Sequence, residues 1–167
     1  MYLKLLGACL TLTGTGALGF YLGNRYLKRV KDLEKLITLL QQFKTEMHYR
    51  ATPLPEILNL IAKSDDHAVS QLFKIKDPSL PVNAALKKAF LEGFTKTALL
   101  TREQEVLLTF AERVGTSDLK DQENLLNYTV EQLKLILAES QEEADKNVKL
   151  LNYLGILTGA LLVLLFF

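Results

Sequence analysis

Apolar residues return in steps of four and three through the last third of the chain: Leu126, Val130, Leu133 and Leu137, then Ser140, Ala144, Val148 and Leu151 as the small or apolar continuation. That spacing draws one stripe along a helix, and neither Gly nor Pro interrupts it between Asp118 and Leu151. From Leu150 to Phe167 the charges stop. At about 1.5 Å per residue, this uncharged stretch spans about 27 Å as a helix, against a hydrocarbon core of about 30 Å. The pattern therefore predicts a single helix, roughly 75 Å long, that leaves water and enters a bilayer.

The other end mirrors it. Leu3 to Leu22 carries Lys4 as its sole charge, and from Asn24 the chain turns polar and basic while Val30, Leu33, Ile37, Leu40, Phe43 and Met47 keep a helical stripe. Unsatisfied backbone groups are costly in hydrocarbon, so both apolar ends are expected to be helical and the middle to return to the same membrane face. The expected fold is all-α: a membrane-anchored antiparallel helical bundle whose two long helices each extend into a transmembrane span. The expected divisions are a first span over 3–22, a cytoplasmic helical domain over 24–149 and a second span over 150–167.

Between the long helices, local signals mark shorter ones. In Tyr49-Arg50-Ala51-Thr52-Pro53-Leu54-Pro55-Glu56, Thr52 can cap a helix that opens on Pro53 and runs through Ala62. Ser64 or Asp65 is the expected cap of a helix holding Val69, Leu72 and Phe73. Asp77 to Pro81 reads as a loop, followed by an apolar set of Ala85, Leu86, Ala89, Phe90 and Phe94. Thr101-Arg102-Glu103-Gln104 fits a capping box. Gly115 suits a left-handed stop, and Ser117 or Asp118 a cap for the final helix. No strand pattern or repeat stands out.

Composition sharpens this division. A hydrophobic fraction of 49% and a mean hydropathy of +0.12 are modest for a membrane protein, yet every acidic residue falls between Asp32 and Asp145. The middle is thus an ordinary aqueous domain, large enough to bury a core without disulfides. A net charge of +1 gives no general attraction to nucleic acid. The single cysteine, Cys9, has no intrachain partner and says nothing about redox compartment. Arg25, Lys28, Arg29 and Lys31 after the first span, with Lys146 and Lys149 before the second, place the middle in the cytoplasm and both termini across the membrane. Leu6-Gly7-Ala8-Cys9 invites a competing reading as a lipoprotein-type signal, but too few apolar residues precede Cys9 for an h-region.

Small residues every fourth position, Gly7, Thr11, Thr15, Gly19 and Gly23, form a stripe up the first span, and Gly155 with Gly159 forms a shorter one on the second. Such stripes let helix backbones approach closely in lipid. Two uses stay open, packing of the hairpin on itself and lateral homo-oligomerisation.

Catalytic chemistry finds little support. The two histidines are His48, at a helix end, and His67, beside Asp65 and Asp66. Adjacent helix residues point in different directions, and no second ligand pair accompanies them, so capping explains the acids better than a metal does. Cys9 lacks a basic neighbour to form a thiolate. Gly14-Thr15-Gly16 has no following Lys-Ser/Thr, which leaves it short of a phosphate loop. No enzyme activity, cofactor or metal is expected. The acidic run Glu139, Glu142, Glu143 and Asp145 reads as a solvated face.

Four pieces in order, Leu3-Lys4-Leu5-Leu6-Gly7-Ala8, Tyr49-x-x-Thr52-Pro53-Leu54-Pro55-Glu56, Gly115-Thr116-Ser117-Asp118-x-x-x-Gln122 and Leu154-Gly155, make the chain resemble the stage III sporulation protein AB family. The resemblance covers almost the whole length, with Ala62 to Leu100 contributing little. It implies a component of the sporulation channel apparatus in the mother-cell membrane facing the forespore. It also implies kinship with the larger inner-membrane platforms of type II secretion and type IV pilus machines, which carry two cytoplasmic helical domains where one is expected here. The partners it implies are a hexameric secretion-type ATPase and other sporulation channel membrane proteins. On this view Tyr49, Arg50, Glu56, Asp118 and Gln122 share the tip of the hairpin, roughly 40 Å from the membrane, and are candidates for a partner-facing surface. A membrane-anchored adaptor or sensor unrelated to secretion would use the same hairpin.

Overall fold

The computed structural model describes residues 2–50 and 52–166, with the backbone alone for 2–6, 8, 12 and 166. Among the described residues there are six α-helices and no strand. These are α1 (Tyr2–Tyr49), α2 (Leu54–Ala62), α3 (Ala68–Gln71), α4 (Val82–Gly93), α5 (Thr101–Arg113) and α6 (Leu119–Phe166), with a 3-10 turn at Phe94–Lys96. The two long helices each run for 48 residues. Two compact units result: Met1–Val30 with Glu139–Phe167, and Lys31–Ala138.

In the first unit, the helices meet through glycine. A Cβ on Gly155 would lie 2.8 Å from the Thr15 carbonyl oxygen and 3.3 Å from the Gly19 Cα, so only a residue without one fits. Arg29 Nη1 bonds Glu143 Oε2 at 2.8 Å between the same two helices. Toward the chain ends its outer surface is apolar: Leu10, Phe20, Leu157 and Leu161 are exposed, and Leu164 is 88% exposed. Hydroxyls in this unit turn back onto their own helices, Thr15 onto the Thr11 carbonyl at 2.9 Å and Thr158 onto that of Leu154 at 2.7 Å. Such back-bonding satisfies the hydroxyl within its own helix.

The second unit is built on side chains. Leu33, Leu36, Leu40 and Phe43 of α1 and Leu126, Leu133 and Ile136 of α6 join Ile57, Leu58, Phe73, Phe90, Leu107 and Phe110 in one buried core. Phe43 meets Phe110 edge-on at 5.9 Å, and Phe73 meets Phe90 at 5.4 Å, geometries that favour aromatic pairs beyond their buried area. The stripes enter this core through Leu33, Ile37, Leu40, Phe43 and Met47 of α1 and Leu126, Val130 and Leu133 of α6, with Leu137 against its edge, while Val30 and Ser140 to Leu151 lie in the first unit.

Helix ends repeat the sequence signals with shifts of one or two residues. Pro53, not Thr52, sits at the cap of α2 with no side-chain bond, and Pro55 lies in the first turn, where a missing N–H costs nothing. His67 replaces Ser64 or Asp65 as the cap of α3: its Nδ1 accepts the Val69 N–H at 3.3 Å, while Asp65 Oδ1 accepts the His67 N–H at 3.0 Å. At α5 the capping box does not form, because Leu100 occupies the cap and Thr101 is already helical. Gln104 instead reaches back to the Leu99 carbonyl at 2.8 Å. Gly115 does adopt a positive φ of 77°, and Asp118 Oδ1 accepts the Asp121 N–H at 2.9 Å, capping α6.

Among the described residues, α6 is the one helix long and apolar enough, by length and composition, to cross a membrane. The expected first span, 3–22, lies within α1; its side chains at 3–6, 8 and 12, like Phe167 of the second, lie outside the described residues.

Candidate functional site

The tip candidates sit where two corners of the second unit adjoin. α1 ends at Tyr49, and His48 Nδ1 makes a close contact with Glu123 Oε1 of α6. One turn earlier, Lys44 Nζ bonds Asn127 Oδ1 at 2.9 Å. From the other side, a Cβ on Gly115 would come within 3.0 Å of Leu54 Cδ1, so the loop before α6 rests on the first residue of α2. Both corners are closed by short, specific contacts, and the one onto Leu54 is made at the left-handed Gly115.

The five residues behave differently there. Tyr49 is 80% exposed and stacks its ring edge-on to His48 at 4.7 Å. Arg50 is exposed and reaches back one turn to Glu46 at 3.2 Å. Glu56 is exposed in the first turn of α2, where a carboxylate faces the positive helix end. Asp118 is the cap just described. Gln122 is committed inward: its Nε2 donates to the Ser117 carbonyl at 2.8 Å and its Oε1 is buried. Tyr49, Arg50 and Glu56 therefore present free surface, and Asp118 and Gln122 shape the loop.

A second cluster was not legible in sequence. Asp32, on α1, is 1% exposed. Its Oδ2 accepts the Ala98 N–H at 2.6 Å, and its Oδ1 faces His67 Nε2 at 3.7 Å. His67 Nδ1 accepts from Val69, which leaves Nε2 turned toward Asp32. Lys35, one turn along α1, pairs with Asp65, and this ammonium, aided by the His67 backbone N–H, draws the Asp65 carboxyl down to about 2. Two acid–base contacts thus fasten the α2–α3 corner to α1, and Asp65 and His67 are engaged structurally. Among the described residues, no three His, Cys, Asp or Glu side chains gather as a metal site. A charge in the middle of a helical stripe reads as solvated, so nothing in the local pattern singled out Asp32.

The glycine stripe resolves unevenly. Gly19 and Gly155 make the closest approach, a Cβ on Gly23 would lie 3.6 Å from the Val148 Cα, and Gly159 is buried. Thr11 and Thr15 are half-buried on the same stripe, and Thr11 bonds the Gly7 carbonyl at 3.1 Å.

A family model described as stage III sporulation protein AB matches residues 4–167. The chain belongs to the stage III sporulation protein AB family. A relative from Bacillus subtilis (strain 168), itself called stage III sporulation protein AB, is 32% identical over 168 residues, spanning 98% of each chain. A solved structure titled stage III sporulation protein AB (SpoIIIAB) superposes with a TM-score of 0.65, covering 71% of this chain and 97% of that one. At 24% identity this likeness speaks for the fold alone. Two of the motif pieces that suggested the stage III sporulation protein AB family, at 49–56 and 115–122, are the adjoining corners of the second unit.

Proposed function

We propose that this stage III sporulation protein AB family member is a non-enzymatic membrane platform. It belongs to a sporulation channel or secretion-like apparatus between mother cell and forespore, and couples a cytoplasmic secretion-type ATPase to the membrane complex. The observation that carries the reading is the contrast inside the first unit: backbones in contact through Gly19 and Gly155, with exposed leucines all around. Close glycine packing under an apolar exterior is the arrangement lipid favours, where no water drives side chains together. Both long helices would then span the mother-cell membrane, with the middle domain in the cytoplasm and both termini opposite. At the tip, Tyr49 offers an exposed aromatic anchor beside the charges of Arg50 and Glu56, a mixture common at binding hot spots.

Co-purification from sporulating cells tests the coupling. Tagged full-length chain is expected to bring down a hexameric secretion-type ATPase, and a chain carrying Tyr49→Ala, Arg50→Glu and Glu56→Lys to lose most of it while keeping its helicity and membrane fraction. Undiminished recovery with the altered tip would remove these residues from the contact. No ATPase with the unaltered chain would remove the coupling.

A further inference from the structure

The membrane-facing unit carries cations that its own contacts leave unused. Arg29 is bonded to Glu143, and Lys146 to Glu142 at 2.7 Å, which raises the lysine and lowers the glutamate in proton affinity. Arg25, Lys28 and Lys149 are exposed, and among the described residues none of them has an ion-pair partner. Asp145 is the remaining exposed acid in this stretch of α6 without such a pairing, so three free cations face one free acid.

Their positions are fixed by the glycine contact. A Cβ on Gly23 would lie 3.6 Å from Val148 and 3.8 Å from the Asn152 side chain, so the two helices are level there. Arg25 and Lys149 are thus within a turn of the same level on the two helices. At about 100° per residue, Arg25 and Lys28 sit roughly 200° and 140° around α1 from Gly23, on the side away from α6. Beyond them begin the exposed apolar residues Leu22, Leu150 and Leu154, with Tyr21 and Tyr153 exposed by 68% and 67%. Tyrosine at the boundary between an apolar band and a basic one is the composition of a membrane interface.

We infer that Arg25, Lys28 and Lys149 form a basic collar that selects anionic phospholipids, binding the phosphodiester headgroups of the leaflet on the side of the middle domain. The inference rests on the membrane reading above. Cations that point outward from both helices cannot converge on one small anion, but they suit many mobile headgroups, each cation adding its attraction separately. The exposed leucines and tyrosines directly alongside favour a lipid surface over an acidic protein.

Tyrosine fluorescence tests this, because the chain has 6 Tyr and 0 Trp. Full-length protein is reconstituted into phosphatidylcholine vesicles containing brominated phosphatidylglycerol or brominated phosphatidylcholine, and quenching gives the selectivity ratio. Each Lys or Arg at a surface contributes up to about fivefold; selectivity for phosphatidylglycerol is expected to be several-fold and to fall with salt. Arg25→Gln with Lys28→Gln and Lys149→Gln should bring the ratio near one, while Lys28→Arg with Lys149→Arg should keep it. Selectivity that is absent in the unaltered chain, or that survives the triple change, overturns the collar. So does its abolition by excess soluble glycerol phosphate at constant ionic strength, which would mark a site for free phosphate. Flotation separates the two failures: a chain that does not float with vesicles sinks the membrane reading as well, whereas one that floats without selectivity sinks the collar alone.

Discussion

α1 and α6 are held together by opposite means in the two units. In Met1–Val30 with Glu139–Phe167, the contact is backbone against backbone at Gly19 and Gly155, and large apolar side chains face outward. In Lys31–Ala138, large apolar side chains such as Phe43 and Phe110 fill the interior, and charged residues other than Asp32, Glu46 and Glu103 lie toward the surface. Where water surrounds a helix, burying apolar area is the driving force; where lipid does, only close packing and satisfied polar groups remain. The same helix pair thus wears its sequence inside out from one unit to the other.

The largest expected effect is in the side-chain core. Phe110→Ala removes one ring of an aromatic pair that is fully buried and should cost about 3–5 kcal/mol. It is read as a lowered urea midpoint for the full chain in detergent, followed by circular dichroism. A loss below about 1 kcal/mol would mean that the second unit is not held by this core. Next comes Gly155→Leu. Its Cβ would meet the Thr15 carbonyl at 2.8 Å, an overpacking expected to cost about 1–3 kcal/mol. Disulfide cross-linking between cysteines placed at Gly23 and Val148, where a Cβ on Gly23 would lie 3.6 Å from the Val148 Cα, should weaken while the urea midpoint of the core holds. Equal damage to both readouts would erase the distinction between the units.

Two smaller effects sharpen the comparison. Asp65 is held at about 2, below its ordinary 3.8, chiefly by Lys35. Its contribution is present above pH 3.8 and lost as the pH falls through about 2. With its side chain 37% exposed, solvent screening limits it to under about 1 kcal/mol. Asp65→Asn should therefore lower stability slightly at pH 7 and flatten the acid limb between these values, read from urea midpoints across that range. Smallest is Gly14→Ala. No atom lies within 4 Å of the added carbon, so the change should be neutral or stabilise by up to about 1 kcal/mol through helix propensity. A marked loss of vesicle insertion or thermal stability would show that the outward face of α1 is occupied.

Much of this architecture is local in origin and was legible for that reason. The stripe from Leu126 to Leu151 and that from Val30 to Met47 report which faces of α6 and α1 are buried, because helical period maps sequence spacing directly onto direction. Gly115 announced its left-handed turn, and Asp118 its cap, since both act on backbone atoms a few residues away. The caps near Thr52, Asp65 and Thr101 fall one or two positions away: Pro53 and Leu100 open α2 and α5 with no side-chain bond, and His67 caps α3 while Asp65 is engaged by Lys35 and the His67 N–H.

What the chain determined alone was the set of helices, their inward faces and the division between an apolar and a charged exterior, all consequences of residue type at a fixed helical period. Tertiary structure decided which glycines touch, that Gln122 turns inward while Tyr49 stands free, and that Asp32 is buried against Ala98 and His67. Those outcomes join residues far apart in sequence, and no spacing rule carries the position of a side chain across such a distance.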